Sequence, residues 1–239
     1  VPLLPRALLR PGVDMLRKFL RYSAPVLANE TLWGFGFSMI TVIMGHMAAS
    51  SDLIAAYTLA GNIDKLMTSG IFGIAAAVAV IVGKEIGAGN LKGVYSIGRA
   101  LCFTAAAFGV VIGALEYVMF LTLMRPVVMP LFSLSASAER LCSVMIACYA
   151  CAMPLHSFST TMVVGVLRGG GDVRASLLID NIPLWCAALP AMYLLGIVLK
   201  VPNEVFCLCL MVESAVKTPI GILRVHSGRW VHDITRIDE

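Results

Sequence analysis

The sequence contains too few charged residues to cover a water-facing surface. Asp, Glu, Lys and Arg make up only 13% of its 239 residues, whereas hydrophobic residues make up 59%. A soluble globular domain is about half apolar and about one quarter charged. The mean hydropathy is high, at +0.89, which agrees with this excess of apolar residues. The composition therefore predicts an integral membrane protein.

Patterns that would indicate a catalytic or metal-binding protein are also missing from the sequence. The seven cysteines all lie within apolar runs and their number is odd, which disfavours a disulfide framework. Cys148, Cys151 and His156 do not complete a zinc pattern, and the glycine runs lack the Gly-Lys-Ser/Thr ending of a phosphate-binding loop. The basic residues form short clusters and no continuous stripe of the kind that binds nucleic acid. We therefore expect no enzymatic activity, no cofactor, no metal site and no nucleic-acid partner.

Six apolar segments are long enough to cross a membrane as helices, which takes about 20 residues each. They lie near Tyr22–Met47, Leu53–Val82, Tyr95–Met124, Ala138–Val166, Ala175–Leu199 and Val205–Ile222. An outer-membrane barrel would instead show alternating segments of about ten residues. The predicted fold is all-α and polytopic, with a cytoplasmic basic linker at 1–21, a six-helix transmembrane unit at 22–223 and a cytoplasmic tail at 224–239.

The distribution of Lys and Arg predicts the orientation of these spans. Thirteen of the 18 basic residues fall on one side, three fall on the other, and two lie inside spans. Positive residues concentrate in cytoplasmic loops, so both termini are predicted to be cytoplasmic in a plasma or inner membrane. The chain begins with Val1 and a basic arm that contains prolines, which does not look like a natural start.

Charged residues inside the spans are the strongest functional candidates, because each costs about 2.5–3.5 kcal/mol at the centre of a bilayer. The sequence has five acids and two bases of this kind: Glu30, Asp64, Lys65, Glu116, Asp180, Glu213 and Lys217. The excess of acids suits protons, sodium or organic cations. Glu213 and Lys217 are four residues apart, which predicts a structural ion pair on one helix face. Glu116 stands alone toward the outer end of its span, where we expect it to reach the membrane interface.

Helical spacing places further polar residues on common faces of two spans. The second span carries Tyr57, Gly61, Asp64, Lys65 and Thr68 on one stripe, and the fourth carries Tyr149, Met153, His156 and Thr160. Such a stripe faces either a water-filled cavity or a seam between helices, and the spacing leaves both open. Pro154 is expected to break the fourth helix, as in the broken helices that line transporter cavities.

Two carboxylates lie beside asparagines and close to prolines. Glu30 follows Asn29 in the first span, and Asp180 precedes Asn181 in the fifth. We predict that both help to bind a cation at membrane depth. Two glycine pairs at GxxxG spacing, Gly83 with Gly87 and Gly109 with Gly113, predict close approach of helices. The glycine runs at 87–89 and 169–171 are interpreted as tight cytoplasmic turns.

Three glycine-containing motifs, in this order and spacing, resemble those of a known transporter family. GKEIGAGN at 83–90 follows the second span, LRGGGD at 167–172 follows the fourth, and SGRW at 227–230 follows the last. Together with Pro25–Glu30 they are similar to the multidrug and toxic compound extrusion (MATE) family, over nearly the whole chain. The motif residues singled out are Gly83, Gly87, Gly89, Arg168, Gly169, Gly170 and Gly171.

The resemblance implies a twelve-helix transporter with two six-helix lobes around a central cavity, of which this chain looks like the second. The implied function is secondary active export of organic cations and drugs by alternating access, in exchange for sodium or protons. The expected partners are membrane lipid, small amphiphilic organic cations, and either the N-terminal lobe of the same transporter or a second copy. By the resemblance, Glu30 looks like the first-span acid implicated in cation coupling.

The residues themselves supply the other site predictions and leave two alternatives open. Asp64 joins Glu30 and Asp180 as a predicted coupling residue, and the predicted cavity-lining residues are Asn29, Tyr57, Thr68, Tyr149 and His156. A lipid-linked sugar flippase of the same superfamily would carry basic cavity residues, for which Lys65 and Lys217 are the candidates. A non-transporting subunit or truncated remnant is the other alternative. The sequence also departs from the family in one respect. The sodium-coupled branch of the MATE family uses an acidic residue in the helix that matches the fourth span, where this sequence has only Glu139, at the extreme edge of the span.

Overall fold

The computed structural model describes residues 13–132 and 134–231, which are almost entirely helical. Six of the helices are long and apolar enough to cross a membrane. Among the described residues the extended pairing is limited to one antiparallel bridge, between Gly171 and Val231. The predicted all-α fold with six spans is therefore confirmed. Of the predicted linker at 1–21, residues 1–12 lie outside the described residues, whereas residues 13–21 belong to the first helix. Of the predicted tail at 224–239, residues 224–226 still belong to the last helix and residues 232–239 lie outside the described residues.

The first three spans are long helices joined by short turns. Helix α1 comprises Val13–Gly45 and helix α2 comprises Ser50–Gly87. Helix α3 begins as an α-helix at Leu91–Met119, widens into a π-helix at Phe120–Val128, and ends in a 3₁₀ turn at Met129–Phe132. Because α3 continues through Pro126, its apolar length exceeds the span predicted from the sequence.

The last three spans mix α-helical turns with wider and tighter ones. Helix α4 is α-helical at Ala136–Thr160 and π-helical at Thr161–Leu167. Helix α5 runs through four consecutive segments: Val173–Ile182, a π-helical Pro183–Ala188, Leu189–Tyr193 and a π-helical Leu194–Val198. Helix α6 comprises Asn203–Cys207, a 3₁₀ turn at Leu208–Met211 and Val212–His226.

Polar side chains define where three of the helices begin. Asn90 accepts a hydrogen bond from the Gly93 amide at the start of α3, and Ser135 and Asp172 act in the same way at the starts of α4 and α5. Such caps satisfy amides that have no partner within the helix. The turn before α3 places Gly89 at a φ of 76°, which a residue with a side chain rarely adopts. The two predicted glycine turns are thus present, although Gly83 and Gly87 themselves lie inside α2.

The seam between α3 and α4 depends on Pro154, Gly109 and Gly113. The expected break at Pro154 is wrong, because α4 is a continuous α-helix through this position. Pro154 has no amide hydrogen to donate to the Ala150 carbonyl one turn earlier. Gly113 packs directly on that carbonyl oxygen, and a Cβ at Gly109 would lie 2.8 Å from the Met153 carbonyl oxygen. The close approach predicted at this glycine pair is therefore present.

The other predicted glycine pair has no such role among the described residues. A Cβ at Gly83 would come no nearer than 4.0 Å to another segment, at the Gly169 carbonyl oxygen. A Cβ at Gly87 would meet nothing within 4 Å in the described structure. This prediction was wrong because spacing shows that a close approach is possible and does not show which helix face has a neighbour.

A polar layer lies between two apolar clusters of the six-helix unit. One cluster, around Met44, Leu53 and Phe206, lies at one end of the helices, and the other, around Val82, Val166 and Trp230, lies at the opposite end. Buried polar side chains occupy the intervening turns of α1, α4, α5 and α6: Asn29, Ser157, Thr160, Thr161, Asp180, Asn181, Ser214, Lys217 and Thr218. Large apolar side chains such as those of Leu27, Phe103 and Leu223 point outward, as expected for surfaces in lipid.

Candidate functional site

The centre of the polar layer is Asp180 on α5. Lys217 Nζ on α6 lies 2.8 Å from Asp180 Oδ1, and Asn29 Nδ2 on α1 donates a hydrogen bond of 2.8 Å to Asp180 Oδ2. Asn181 Nδ2 donates to Asn29 Oδ1 at 2.6 Å, which fixes the orientation of the Asn29 amide. The four side chains are all buried. The helices α1, α5 and α6 therefore meet at one carboxylate.

Lys217 also forms the predicted ion pair with Glu213. Its Nζ lies 2.7 Å from Glu213 Oε1, four residues earlier on the same helix. The side chain of Lys217 is only 4% exposed, so its charge depends on these two carboxylates for compensation. The contact to Asp180 was not predicted, because the relative rotation of α5 and α6 is not encoded in the spacing of either helix.

Arg168 connects Asp180 to Glu30. It lies at the end of α4, directly before the predicted glycine turn at 169–171. Its guanidinium lies 2.8 Å from Glu30 Oε1 and 3.7 Å from Asp180 Oδ2, and its Nε donates to Ser176 Oγ at 3.2 Å. The Arg168 side chain is 17% exposed and the Glu30 side chain 55% exposed, so Glu30 forms the open edge of the group. Glu30 and Asp180, predicted separately, are thus brought together around one arginine.

These contacts form one network with an unequal number of charges. Its carboxylates are Glu30, Asp180 and Glu213, and its cations are Arg168 and Lys217. With every group ionised, the network carries one net negative charge at membrane depth. A buried charge requires compensation, and one proton or one monovalent cation would supply it. We refer to these five residues as the charge network.

A second group of contacts connects the turn after α4 with the end of α6 and the residues that follow it. The Arg224 guanidinium lies 2.7 Å from Asp172 Oδ2, and Gly171 in the same turn has a φ of 85°. The fully buried Trp230 ring packs against Gly170, and its Nε1 donates to the Val225 carbonyl oxygen at 3.1 Å. The turn motif LRGGGD and the SGRW motif therefore contact each other directly.

The third predicted coupling residue, Asp64, lies at a different place. It borders an internal cavity of about 70 Å³, together with Tyr149, Met153, His156, Glu213 and Ser214. Glu213 thus belongs to both the cavity wall and the charge network. Three predicted cavity residues are not part of this wall. Asn29 donates a hydrogen bond to Asp180 of the charge network, Tyr57 packs against the apolar cluster around Met44, and Thr68 donates to the Lys65 carbonyl oxygen at 3.3 Å. Whether they line a transport path stays a prediction.

Glu116 differs most from its expected position. It was expected at the membrane interface, but it lies well inside α3 and its side chain is fully buried. The expectation was wrong because α3 extends to Phe132, which moves the end of the span away from Glu116.

Comparison with known proteins identifies the family of this fold. The MatE family model matches residues 25–194, more than half of the chain. The chain belongs to the MatE family. The match includes Glu30, Asp64, Arg168 and Asp180, whereas Glu213 and Lys217 lie beyond its end.

Several curated proteins resemble this MatE chain. The Probable multidrug resistance protein NorM of Bacillus cereus (strain ATCC 10987) is 27% identical over 196 residues, which are 80% of this chain and 40% of that protein. The protein of the same name from Thermotoga maritima is 21% identical over 225 residues, 94% of this chain and 47% of its own length. The chain thus spans less than half of the length of these relatives.

Solved MATE structures share the fold of this MatE chain. The crystal structure of a MATE mutant superimposes with a TM-score of 0.76 at 16% identity, over 92% of this chain and 48% of the other. The crystal structure of MATE in complex with MaL6 gives a TM-score of 0.71 at 20% identity, over 92% and 49%. The six spans therefore correspond to about half of a MATE structure, and the chain is a multi-pass membrane protein.

Proposed function

We propose that this chain is one six-helix lobe of a secondary active exporter that moves organic cations and drugs in exchange for sodium or protons. The observation that carries the proposal is the charge network, which has one carboxylate in excess within a MatE fold. Ionisable groups at membrane depth that face the bundle interior mark ion pathways in transporters. The NorM relatives, which are named as multidrug resistance proteins, support the choice of substrate class.

Glu30 is the proposed point at which a cation enters the network. It is the most exposed of the three carboxylates, and Arg168 is its partner. A coupling ion that reaches Glu30 compensates the excess charge and competes with Arg168. An organic cation at the same edge competes for the same carboxylate, so the two cations bind alternately, as antiport requires. Asp180 transmits this competition to α6 through Lys217.

The arrangement in the membrane and the partner of the lobe belong to the same proposal. We place both termini in the cytoplasm of a cell bounded by a plasma or inner membrane, following the excess of Lys and Arg on that side. We further propose that the open edge at Glu30 faces the second lobe, supplied by the same transporter or by another copy. The flippase alternative calls for basic residues in the cavity. Of its two candidates, Lys217 is held between two carboxylates, and Lys65 is exposed and does not line the internal cavity.

Export of a fluorescent cationic dye tests this proposal. Proteoliposomes that contain the protein receive an imposed sodium or proton gradient, and dye movement is recorded. We expect Glu30→Gln to lower gradient-driven transport by about tenfold or more, which corresponds to the loss of about 1.4 kcal/mol of interaction. Asp180→Asn is expected to act in the same direction.

Glu139→Gln is the matched control for this experiment. Glu139 is an exposed carboxylate in the first turn of α4, at the opposite end of that helix from Arg168. Its substitution removes the same charge without touching the network and should leave transport unchanged. Unchanged transport in both Glu30→Gln and Asp180→Asn, with normal folding, would refute the proposal.

A further inference from the structure

Glu116 is a fully buried carboxylate that does not belong to the charge network. Its side chain has no exposed surface, and neither carboxylate oxygen has a hydrogen-bond partner among the described residues. Buried polar groups in proteins are nearly always hydrogen-bonded, so an unpartnered carboxyl group requires an explanation. Helix capping does not supply one, because α3 continues beyond Glu116 to Phe132.

The position of Glu116 on α3 directs it into the interior of the helix bundle. It lies three residues after Gly113, on the same helix face, and Gly113 packs on the α4 backbone at Ala150. Asp64 of α2 is near enough for its charge to act on Glu116, and Glu116 is near enough for its charge to act on Tyr149 of α4. Lys65 next to Asp64 is exposed, and Tyr57 and Cys207 complete the titratable groups around Tyr149. No basic side chain among the described residues contacts Glu116.

This environment favours one ligand over the others. A metal ion such as sodium needs several oxygen ligands, whereas a proton needs only one of the two Glu116 oxygens, neither of which has a hydrogen-bond partner among the described residues. An ionised Glu116 would carry an uncompensated charge in the bundle interior, with Asp64 adding repulsion. A single proton removes both penalties and needs no further ligand. Exchange with water is available through Asp64, which borders the internal cavity, and that cavity has room for at least one water molecule.

We propose that Glu116 is a proton-binding site in the middle of the lobe, with Asp64 as the carboxylate between it and the cavity. The proton comes from cavity water and returns to it, so that no other reactant is required. This site goes beyond the proposed function, which assigns nothing to Glu116, and it requires neither a drug substrate nor a second lobe. Protonation of Glu116 removes a negative charge from the surroundings of Asp64, which is part of the cavity wall.

Infrared difference spectroscopy of the lipid-reconstituted protein tests the proposal directly. A protonated carboxyl group without a hydrogen-bond partner gives a carbonyl stretching band at unusually high frequency, separate from those of hydrogen-bonded acids. We expect such a band to disappear reversibly as the pH is raised, and to be absent from Glu116→Gln at every pH. Because Asp64→Asn removes a like charge, it should move the midpoint to lower pH by roughly one unit. Glu139→Gln, which alters an exposed acid, should leave band and midpoint unchanged.

Three results would overturn the proposal. The first is a spectrum in which Glu116→Gln removes no pH-dependent band, which would mean that Glu116 never exchanges its proton. The second is a midpoint that Asp64→Asn does not move. The third is a midpoint that shifts when sodium replaces choline in the buffer, which would indicate a metal-cation site. None of these outcomes depends on dye transport, so a failure here is distinguishable from a failure of the exporter proposal.

Discussion

Replacement of Lys217 by methionine would test the charge network as an energetic unit. Methionine has nearly the same length and flexibility, so the substitution removes the ammonium group and leaves little cavity. The ammonium group is 2.8 Å from Asp180 and 2.7 Å from Glu213, and its side chain is 4% exposed. Both carboxylates would then lose their nearest cation, and the network would carry two excess negative charges in place of one.

The expected loss follows from the burial of these partners. Removing one member of a buried ion pair costs about 3–5 kcal/mol, because the other member is left uncompensated. Arg168 is 3.7 Å from Asp180 and compensates part of that charge, whereas no second cation contacts Glu213 among the described residues. We therefore expect Lys217→Met to lower the free energy of unfolding by about 3 kcal/mol. The loss should shrink at low pH, where protonation of a carboxylate replaces the missing cation.

Equilibrium unfolding in mixed micelles, followed by circular dichroism, measures this change. Arg140→Gln is the control, because Arg140 pairs with Glu204 at 3.2 Å with 74% and 37% of the side chains exposed. An exposed pair of this kind contributes at most about 1 kcal/mol. Adding Asp180→Asn to Lys217→Met should recover part of the loss. A loss below about 1 kcal/mol in Lys217→Met, similar to that of Arg140→Gln, would refute the reasoning.

Two further predictions concern the structural motifs. Gly113→Ala should destabilise the fold by about 1–3 kcal/mol because its Cβ would overlap the Ala150 carbonyl, whereas Gly73→Ala, with no neighbour within 4 Å, should be neutral or stabilising in the same unfolding assay. Trp230→Ala should cost about 3–5 kcal/mol, because it removes a fully buried ring and the hydrogen bond to the Val225 carbonyl oxygen. Limited proteolysis should then cut near the end of α6 in Trp230→Ala, and an uncut chain of parental stability would contradict this assignment.

The candidate site was only partly predictable, and the successes share a physical cause. The Glu213–Lys217 pair was found because both residues lie on one helix, where a spacing of four fixes their proximity. Asp180 and Glu30 were recognised as candidates because a carboxylate inside a hydrophobic span is costly wherever its partners are, and their role in coupling stays a prediction. Arg168 was missed as a member of the site, since its contact to Glu30 joins residues 138 positions apart. The only signal for it was a single basic residue at the end of a long apolar run.

The sequence by itself determined that this is a membrane protein with six spans, and where the turns between them lie. These features depend on hydropathy over about 20 neighbouring residues and on local glycine and capping chemistry, which need no knowledge of other segments. Only the tertiary structure decided which buried charges have partners. Asp180 meets Lys217 and Asn29, whereas Glu116 meets no hydrogen-bond partner within the described chain. The rotation and packing of each helix set these contacts, and a periodic pattern leaves both free.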